Sequence, residues 1–260
     1  MSYPNVIYGD YGDEKRSQST AIGNLPLGQL MILPDGRKFR HAKAGGTALE
    51  AGAIVSVSAG AAGHGNVAAS GLIASATTTR NLSTHTSVYV ATSLAAFTKD
   101  QFADGYLNIQ GPAASAYIGH IYRVKGNDAA ASVAAGGDLK IDLYQTDPLL
   151  HDLKAGTTTV SLRKNPFIDQ IVAASIKTIT GVTPAAVSAN HYFWVQRSGV
   201  ASIQTAATTV TDGAPVAVGT AQAGSVTLMV AVSLATQHVI GQALESVTAA
   251  EAAMCDLNLE

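Results

Sequence analysis

The sequence predicts an all-β protein: an antiparallel sandwich or barrel body with one to three short helices and an extended N-terminal arm. Three observations lead to this prediction. Apolar and polar residues alternate with a period of two over many short segments, turn-forming residues separate these segments, and patterns with helical periodicity are few. Of the 260 residues, 47% are hydrophobic and 13% are charged, so the chain has enough apolar side chains to bury a core.

Composition excludes several classes of protein. The chain has 45 alanines and 25 glycines, but one Trp and one cysteine, Cys255, so it has neither an intramolecular disulfide framework nor a cysteine-rich zinc site. Its net charge of −2 argues against a general nucleic-acid binder, which normally carries a basic excess. No run reaches the roughly 18 apolar residues of a membrane helix, and the acidic N-terminus does not resemble a signal peptide. We therefore expect no nucleic-acid or membrane partner, and synthesis in a reducing compartment.

The predicted N-terminal arm comprises about residues 1–28. It has no apolar periodicity and cannot bury a core alone, but it contains three aromatic residues, Tyr3, Tyr8 and Tyr11. Aromatic residues in a polar segment suit docking onto a neighbouring protein, whereas a frayed terminus is the alternative.

A β-hairpin is predicted directly after the arm. Two strand-like runs flank Pro34, Asp35 and Gly36; proline presets a negative φ, and glycine accepts the left-handed backbone that such a turn needs. The second run carries a dense basic cluster, which includes Arg37, Lys38 and Arg40. This cluster either lies on a solvated hairpin or meets an acidic partner surface.

Period-two alternation predicts the strands of the body. Leu139, Ile141 and Leu143 share one face of their segment, and Val160 and Leu162 share one face of theirs. By alternation or by aromatic and β-branched content, further strands are predicted at residues 87–94, 117–125, 191–199 and 225–234. We divide the body into β-rich modules at 29–155 and 156–260, or alternatively regard it as one continuous domain.

Three short segments carry helix-start signals. Thr98 precedes a polar turn that Gly105 ends, and Asn165 with Pro166 forms a cap followed by a first-turn proline. The third segment is the alanine-rich run at residues 248–254. Few and short helices between many strands favour the all-β class.

Charge is distributed unevenly along the chain. Residues 1–50 carry eleven charged side chains, residues 51–98 carry only Arg80, and no Lys or Arg follows Arg197. The neutral stretch is either a β region whose outer face is solvated by Ser and Thr, or a surface covered by another protein. We hypothesise that it lies at a subunit interface.

The sequence contains no complete catalytic or cofactor motif. A Gly-x-Gly-x-x-Ala run at residues 63–68 lacks both the following helix and the downstream acidic residue of a dinucleotide site. The seven histidines show no helical metal-ligand spacing, and there is no nucleophile elbow. We predict no catalytic, cofactor-binding or metal-ligating residue, and hence no enzyme. Trp194 is either a core anchor or an interface hot spot.

Several longer segments resemble virion structural proteins of tailed bacteriophages, especially marine and cyanobacterial ones. The resemblance begins with LPLGQLMILPDGRKFRHAKAGGTALEAG and continues in FADGYLNIQGPAASAYIGHIYRVKGN and ANHYFWVQRSGVASIQ; the last pieces are DGAPVAVG and QHVIGQAL. Together these segments span most of the chain.

This resemblance implies a capsid decoration, or cement, protein on the outer surface of the virion, made in the host cytoplasm. Such proteins commonly form homotrimers and contact the major capsid protein partly through an N-terminal arm. The expected partners are therefore the major capsid protein and copies of this chain, and no cofactor is expected. The candidate interface residues are Tyr3, Tyr8, Tyr11, Arg37, Lys38, Arg40 and Trp194. The alternative functions are a tail- or fibre-associated module that binds host-surface glycans and, less supported by the scarce glutamates, a polymer-degrading β-sandwich enzyme.

Overall fold

The computed structural model of the chain contains two compact units. Unit 1 comprises Met1–Ser58 and Pro166–Glu260, and unit 2 comprises Ala59–Asn165. Unit 2 is thus inserted into unit 1, a division that differs from the sequential modules suggested by the sequence. The structure describes residues 5–16, 20, 25–58, 68–74, 82–92, 97–111, 118–129, 137–154, 157–173, 178–206, 208–219, 221–229 and 238–260.

Unit 1 is built on one eleven-stranded sheet. Its strands are β1 (Val6–Tyr8), β2 (Leu30–Ile32), β3 (Lys38–Lys43), β4 (Ile54–Val57), β11 (Gln170–Val172), β12 (Ile179–Val182), β13 (Tyr192–Gln204), β14 (Pro215–Val218), β15 (Val226–Leu228), β16 (Val239–Ala243) and β17 (Ala252–Asn258). The main order is β1-β2-β3-β13-β17-β16-β14-β15, while β4, β11 and β12 pair on a branch that joins β13. All pairs are antiparallel except β1–β2.

The predicted hairpin is confirmed between β2 and β3. The amide of Leu33 donates to the carbonyl of Arg37 at 3.0 Å, and the amide of Gly36 donates to the carbonyl of Leu33 at 2.9 Å. Gly36 has φ +85°, the left-handed value that closes a three-residue hairpin loop. The turn therefore sets the register in which β2 and β3 pair.

Strand β13 connects the two halves of the sheet. Residues 192–198 pair with β3, and residues 198–204 pair with β17. The register shifts between Gln196 and Ser198, so the strand bends where it changes partner. Buried apolar side chains of the second half, Ala201 and Ile203, join Cys255 and Leu257 of β17 in the core of this unit.

Unit 2 has six strands whose pairing closes on itself. They are β5 (Ala68–Ala74), β6 (Ser87–Thr92), β7 (Tyr106–Gly111), β8 (Ile121–Asn127), β9 (Gly137–Leu143) and β10 (Thr159–Arg163). The order is β10-β5-β6-β9-β8-β7, and β7 pairs back onto β10. The alternation predicted for β9 and β10 is confirmed, because Leu139, Ile141, Leu143, Val160 and Leu162 are all buried in one core.

The all-β prediction is confirmed, but the three predicted helices are wrong. The one helix among the described residues is a single 3-10 turn, Asp13–Lys15. In the segment after Thr98, Asp100 and Asp104 take positive φ values of 57° and 54°. Left-handed residues end a right-handed helix, and the segment forms successive turns instead.

The other two helix signals fail for the same reason. Asp169 has φ 51° four residues after Asn165, and Gln170 already belongs to β11. Ala250 has φ 64°, and β17 begins two residues later. No helix among the described residues is long and apolar enough to cross a membrane.

The described residues 5–16 of the N-terminal segment lie on the body of unit 1 instead of extending away from it. Strand β1 pairs with β2 in register Val6↔Leu30, and Gly9 donates its amide to the carbonyl of Ile32 at 3.0 Å. Residues 5–16 are therefore an added edge of the sheet, which corrects the prediction of an extended arm for this part of the segment. Tyr3 lies outside the described residues.

Candidate functional site

Two tyrosines of the N-terminal segment project into solvent. Tyr8 is 83% exposed and Tyr11 is 63% exposed, the first at the end of β1 and the second at the turn that follows. Between them, Gly9 lies so close to Met31 that a Cβ there would be 2.8 Å from the Met31 sulfur. The backbone beneath the tyrosines is thus fixed by strand pairing and close packing, although their rings are free of the core.

A buried acidic residue anchors the same segment. Glu14 is 3% exposed and accepts a hydrogen bond from the amide of Gly12 at 2.6 Å. A guanidinium nitrogen of Arg37 lies 3.6 Å from its carboxylate. A buried carboxylate needs such a partner, since desolvation disfavours its charged form. Arg37 therefore joins the N-terminal segment to the hairpin.

Arg37 is also fastened within its own turn. Its Nε donates to Asp35 at 2.6 Å, and its backbone amide donates to the same carboxylate at 3.1 Å. Slight burial opposes ionisation of Asp35, but the hydrogen bonds and charge of Arg37 outweigh it and lower the pKa of the carboxyl. The guanidinium carbon lies 5.7 Å from the ring centroid of Phe39.

Arg40 belongs to a second ionic cluster. It forms an ion pair with Glu260 and donates to the carbonyl of Gly28 at 2.9 Å. Arg197, at the bend of β13, contacts the same Glu260 carboxylate at 3.1 Å. Burial opposes ionisation of Glu260, but the two arginines outweigh it and lower its pKa. Burial of the Arg197 guanidinium disfavours its charged form and lowers the pKa of Arg197.

The basic cluster on the hairpin is consequently compensated within the chain. Arg37 and Arg40 carry internal partners, while Lys38 is half-buried and makes no ion pair among the residues that the structure describes. Arg37 and Arg40 are therefore not available to pair with an acidic partner surface, which weakens the hypothesis that this run binds one. Sequence reasoning missed Glu14 and Glu260, since neither shows a local motif with the hairpin and Glu260 lies 220 positions from Arg40.

Trp194 is a core residue of unit 1. It is 5% exposed and packs in a cluster with Met31, Leu33 and Phe39. Its ring centroid is 5.2 Å from that of His41, which is fully buried. Of the two interpretations given for Trp194, the structure selects the core anchor, which corrects its assignment as an interface residue.

Burial in the core explains part of the uncharged stretch at residues 51–98. All four residues of β4 are buried in unit 1, and Val88 and Val90 of β6 are fully buried in unit 2. Charged side chains are excluded from such positions. Residues 59–67, 75–81 and 93–96, and with them most of the glycine-rich run at 63–68, lie outside the described part of the chain.

Within the described residues, no group of three or more His, Cys, Asp or Glu side chains is arranged to hold a metal ion. His120 and His151 approach each other with ring centroids 5.5 Å apart. Cys255 is buried in the core of unit 1, and burial raises the pKa of its thiol to about 11. A thiol in this environment is a structural apolar group and a poor nucleophile.

Comparisons with known proteins add no relative: no protein family, no curated protein and no solved structure matches this chain. The candidate interface is therefore defined by geometry alone. It consists of Tyr8 and Tyr11, held on the body by β1 and by the contact between Glu14 and Arg37.

Proposed function

We propose that this chain is a non-enzymatic virion structural protein that decorates the outer surface of a phage head. It cements the head by bridging subunits of the major capsid protein, and it acts as a homo-oligomer, with a trimer expected from the sequence resemblance. The resemblance suggests the class of protein, and the structure supplies a surface suited to the contact.

The observation that carries this proposal is the exposure of Tyr8 and Tyr11 on an anchored segment. Tyrosine is enriched at protein interfaces because it buries a large ring while its hydroxyl keeps a polar partner. Here the backbone below both rings is already ordered by β1, so little entropy is lost on docking. Exposed aromatic rings on a fixed support are the arrangement expected of interface anchors.

The cementing action follows from linkage. A protein that binds two neighbouring shell subunits only in their mature arrangement stabilises that arrangement by mass action. Many copies acting together strengthen the shell through avidity, although each single contact is modest. Internal pressure must then break these bridges in addition to the contacts between shell subunits.

Binding to assembled shells tests the proposal. The purified chain is mixed with assembled shells of the major capsid protein of the phage from which it comes, and the bound fraction is measured by sedimentation. We expect the double variant Tyr8→Ser, Tyr11→Ser to bind at least about tenfold more weakly, as the loss of hot-spot residues does. The matched control is Ile121→Ser, Leu150→Ser, which removes two apolar side chains of unit 2 that are 61% and 64% exposed.

Absence of binding by the unaltered chain, or equal heat and osmotic resistance of shells with and without it, would reject the cementing role. Equal loss of binding in both double variants would show that Tyr8 and Tyr11 are not the anchors. Copy number in purified virions adds an independent criterion, since a head protein is present in hundreds of copies and a tail protein in few.

One surface of unit 2 favours the second candidate, a glycan-binding module of a tail or fibre. Tyr106 and Tyr144 are each 37% exposed, and Arg123 stacks 4.8 Å from the Tyr106 ring centroid. Asp104 accepts a hydrogen bond from the Tyr144 hydroxyl at 2.5 Å. Aromatic rings beside charged groups suit sugar recognition, so specific binding on a host-glycan array, lost in Tyr106→Ala and not in Leu150→Ala, would favour this candidate.

A further inference from the structure

Unit 1 contains a cavity that the candidate interface does not use. Its volume is about 390 Å³, at the small end of the range typical of ligand-binding cavities. The 3-10 turn Asp13–Lys15, the β2–β3 turn and strands β12, β13 and β17 contribute to its lining. We name it the Lys15 cavity and define it by five of its lining residues: Lys15, Val182, Gln196, Val200 and Ala252.

Aliphatic side chains form part of the lining. Val182 and Ala201 are buried, whereas Val200 is 46% exposed. Together with Ala252, they offer an aliphatic group of a ligand a surface against which it leaves water. The cavity therefore favours a ligand with an aliphatic part.

Three charged residues of the described chain line the cavity, and they are of both signs: Glu14, Lys15 and Arg37. Glu14 accepts from the amide of Gly12 at 2.6 Å and lies 3.6 Å from a guanidinium nitrogen of Arg37. Arg37 is held by Asp35 as well. Lys15 is exposed and forms no ion pair with any residue that the structure describes. The charge left over at the cavity is therefore positive, and an anionic group complements it.

Three carboxylates lie next to lining residues in the sequence. Asp13 pairs with Arg16 at 3.3 Å. Glu50 and Glu251 each accept a hydrogen bond from an uncharged donor, at 3.1 and 3.0 Å. None of the three forms an ion pair with Lys15 in the part of the chain that the structure describes. Lys15 is thus the cation that is available to a ligand.

Gln196 adds a hydrogen-bond acceptor to the cavity. The residue is 2% exposed, and its Nε2 donates at 3.3, 3.3 and 2.8 Å to carbonyl oxygens at the bend of β13, those of Ser198, Gly199 and Val200. These bonds fix which end of the amide is the oxygen, and Oε1 accepts no hydrogen bond from the described residues. Buried polar atoms are normally satisfied, so this oxygen calls for an N–H or O–H donor inside the cavity.

The C-terminal residue of a peptide combines these three requirements. Its carboxylate complements Lys15, and its backbone N–H is a donor for Oε1 of Gln196. An aliphatic side chain on the same residue contacts Val182 and Val200. A simple carboxylic acid lacks the donor, and an amide-capped peptide lacks the charge.

Two other occupants fit the cavity less well. A free amino acid carries an ammonium group, which requires an unpaired carboxylate, whereas Glu14 is engaged by Arg37. Glu260 of a second copy brings an acidic side chain, which is ion-paired with Arg40 and Arg197 of its own chain.

We propose that the Lys15 cavity binds the aliphatic C-terminal residue of a partner polypeptide. Lys15 holds the carboxylate, Gln196 accepts from the backbone N–H, and the aliphatic lining receives the side chain. The chemistry of this site does not depend on the proposed function, whereas a shell subunit as the source of the C-terminus rests on it.

A set of matched dipeptides tests this recognition in the full chain. The reference is acetyl-Ala-Leu with a free carboxylate, titrated while NMR records the amide signals of Gly52 and Ser202, which also line the cavity. The amide-capped form lacks the carboxylate, a depsipeptide with an ester oxygen in place of the leucine N–H lacks the donor, and acetyl-Ala-Glu lacks the aliphatic side chain. We expect saturable shifts with the reference, and at least about fivefold weaker binding of these three compounds and of free leucine.

Two variants alter the cavity from exposed positions. Lys15→Gln removes the cation, and Ala252→Phe fills part of the space. Their matched controls, Lys99→Gln and Ala129→Phe, make the same exchanges at exposed positions of unit 2. We expect each cavity variant to weaken binding of the reference dipeptide at least about fivefold and each control to change it less than about twofold. Unfolding midpoints close to that of the parent chain confirm that all four variants are folded.

Failure of the reference dipeptide to shift the signals of Gly52 and Ser202, or equal binding by the cavity variants and their controls, overturns the proposal. Equal binding of the amide-capped form or the depsipeptide also overturns it, because Lys15 or Gln196 then does not recognise the ligand. Free leucine that binds as tightly as the reference assigns the cavity to an amino acid instead. Self-association of the parent chain that the reference dipeptide reverses assigns it to a second copy.

The shells of the major capsid protein separate this inference from the proposed function. The expected dipeptide pattern without any binding to shells supports the inference and counts against the proposed function. Binding to shells without the dipeptide pattern supports the proposed function and rejects the inference.

Discussion

The imidazole of His41 lies in the interior of unit 1, stacked 5.4 Å from the ring of Tyr192 and tilted against Trp194. Its Nδ1 lies 3.3 Å from the carbonyl oxygen of Pro26. Burial disfavours the charged imidazolium and lowers the pKa of His41 from its ordinary value of 6.5, an effect that the backbone carbonyls oppose only in part. The residue is therefore held neutral by its surroundings, although it belongs to the most basic segment of the chain.

Stability should consequently fall as the pH drops below about 6.5. The unfolded chain binds a proton at His41 that the folded chain does not, so the contribution is complete above the ordinary pKa and is lost as the pH falls toward the lowered one. Each tenfold difference in proton affinity corresponds to about 1.4 kcal/mol. Urea unfolding between pH 7.5 and pH 5 should show a steeper loss of stability for the parent chain than for His41→Gln.

The decisive measurement is the change in unfolding free energy with pH, and not the free energy at one pH, because His41→Gln itself removes packing and lowers stability at every pH. His151→Gln, which alters an exposed histidine in unit 2 and leaves the surroundings of His41 intact, is the matched control. Equal pH dependence of stability in the parent and His41→Gln would show that folding does not lower the pKa of His41.

Among the elements, the turn segment after Thr98 illustrates how a side chain from another strand replaces helix formation. Asn127, at the end of β8, is buried; its Oδ1 accepts from the amide of Phe102 at 2.9 Å, and its Nδ2 donates to the carbonyl of Thr98 at 2.9 Å. Without Asn127 the amide of Phe102 would be unsatisfied beside its own buried ring, whereas the carbonyl of Thr98 also accepts from the amide of Gln101 at 3.3 Å. The turn is thus stabilised by tertiary contacts rather than by local propensity.

Asn127→Ala should therefore destabilise unit 2 by about 2 kcal/mol, because it leaves the buried amide of Phe102 without a partner. Circular dichroism during urea unfolding gives the free energy. Asn108→Ala, on the outward face of β7, is the matched control and should cost well under half as much. A similar loss in both variants would show that the contacts of Asn127 contribute no more than those of a half-buried residue.

Strands β3 and β13 are joined by the carboxylate of Glu260, which contacts Arg40 on one strand and Arg197 on the other. Because the pKa of Glu260 is lowered in the folded chain, its stabilising contribution is complete above the ordinary value of 4.5 and is lost as the pH falls below it. Between pH 6 and pH 3.5, the parent should lose more stability than Glu260→Gln. Glu251→Gln removes an exposed carboxylate that has no arginine partner among the described residues, and it is the matched control because both ion pairs of Glu260 stay in place.

The contrast between strands and helices shows which elements the sequence can predict. In β9 and β10 the alternation is itself the consequence of one face being buried, so a local pattern reports the tertiary environment. Helix-start signals lack this property, since Thr98 does contact Gln101, its amide donating to Oε1 at 3.1 Å, yet the chain continues as turns. Caps and turns use the same polar residues, and only Asn127, far along the chain, decides between them.

The same reasoning applies to the residues of the candidate site. Tyr8 and Tyr11 were selected because a polar segment has no core of its own in which to bury aromatic rings, and both rings are indeed exposed. The arginines of the hairpin were identified as a cluster, but their compensation by Glu14 and Glu260 depends on strand order, which no short-range pattern encodes. Strand β17 was missed because an alanine-rich run suggested a helix, whereas the alternation of Ala253, Cys255 and Leu257 was the usable signal for a strand.

For the whole molecule, the point of insertion has a simple geometry. Strand β4 ends at Val57, which pairs with Gln170 of β11, and the amide of Ser58 donates to the carbonyl of Asp169 at 2.9 Å. The chain therefore leaves unit 1 and returns to it at neighbouring positions. Domain insertions are tolerated where the two ends of the inserted segment meet in this way, because a short connection can replace the whole insert.

We expect unit 1 to fold when residues 59–165 are replaced by a short Gly-Ser linker. Closing this gap requires little loop entropy, and all described members of the three buried clusters in unit 1 belong to that unit. Trp194, the only tryptophan, reports on this unit, so its fluorescence should keep the emission maximum of the parent chain and change in one cooperative urea transition.

The separate chain 59–165 should unfold cooperatively by circular dichroism, since its six strands pair in a closed order around their own core. A shift of Trp194 emission to the wavelength of the urea-unfolded parent would contradict the independence of unit 1, and it would show that the inserted residues are needed to complete the fold into which they are inserted.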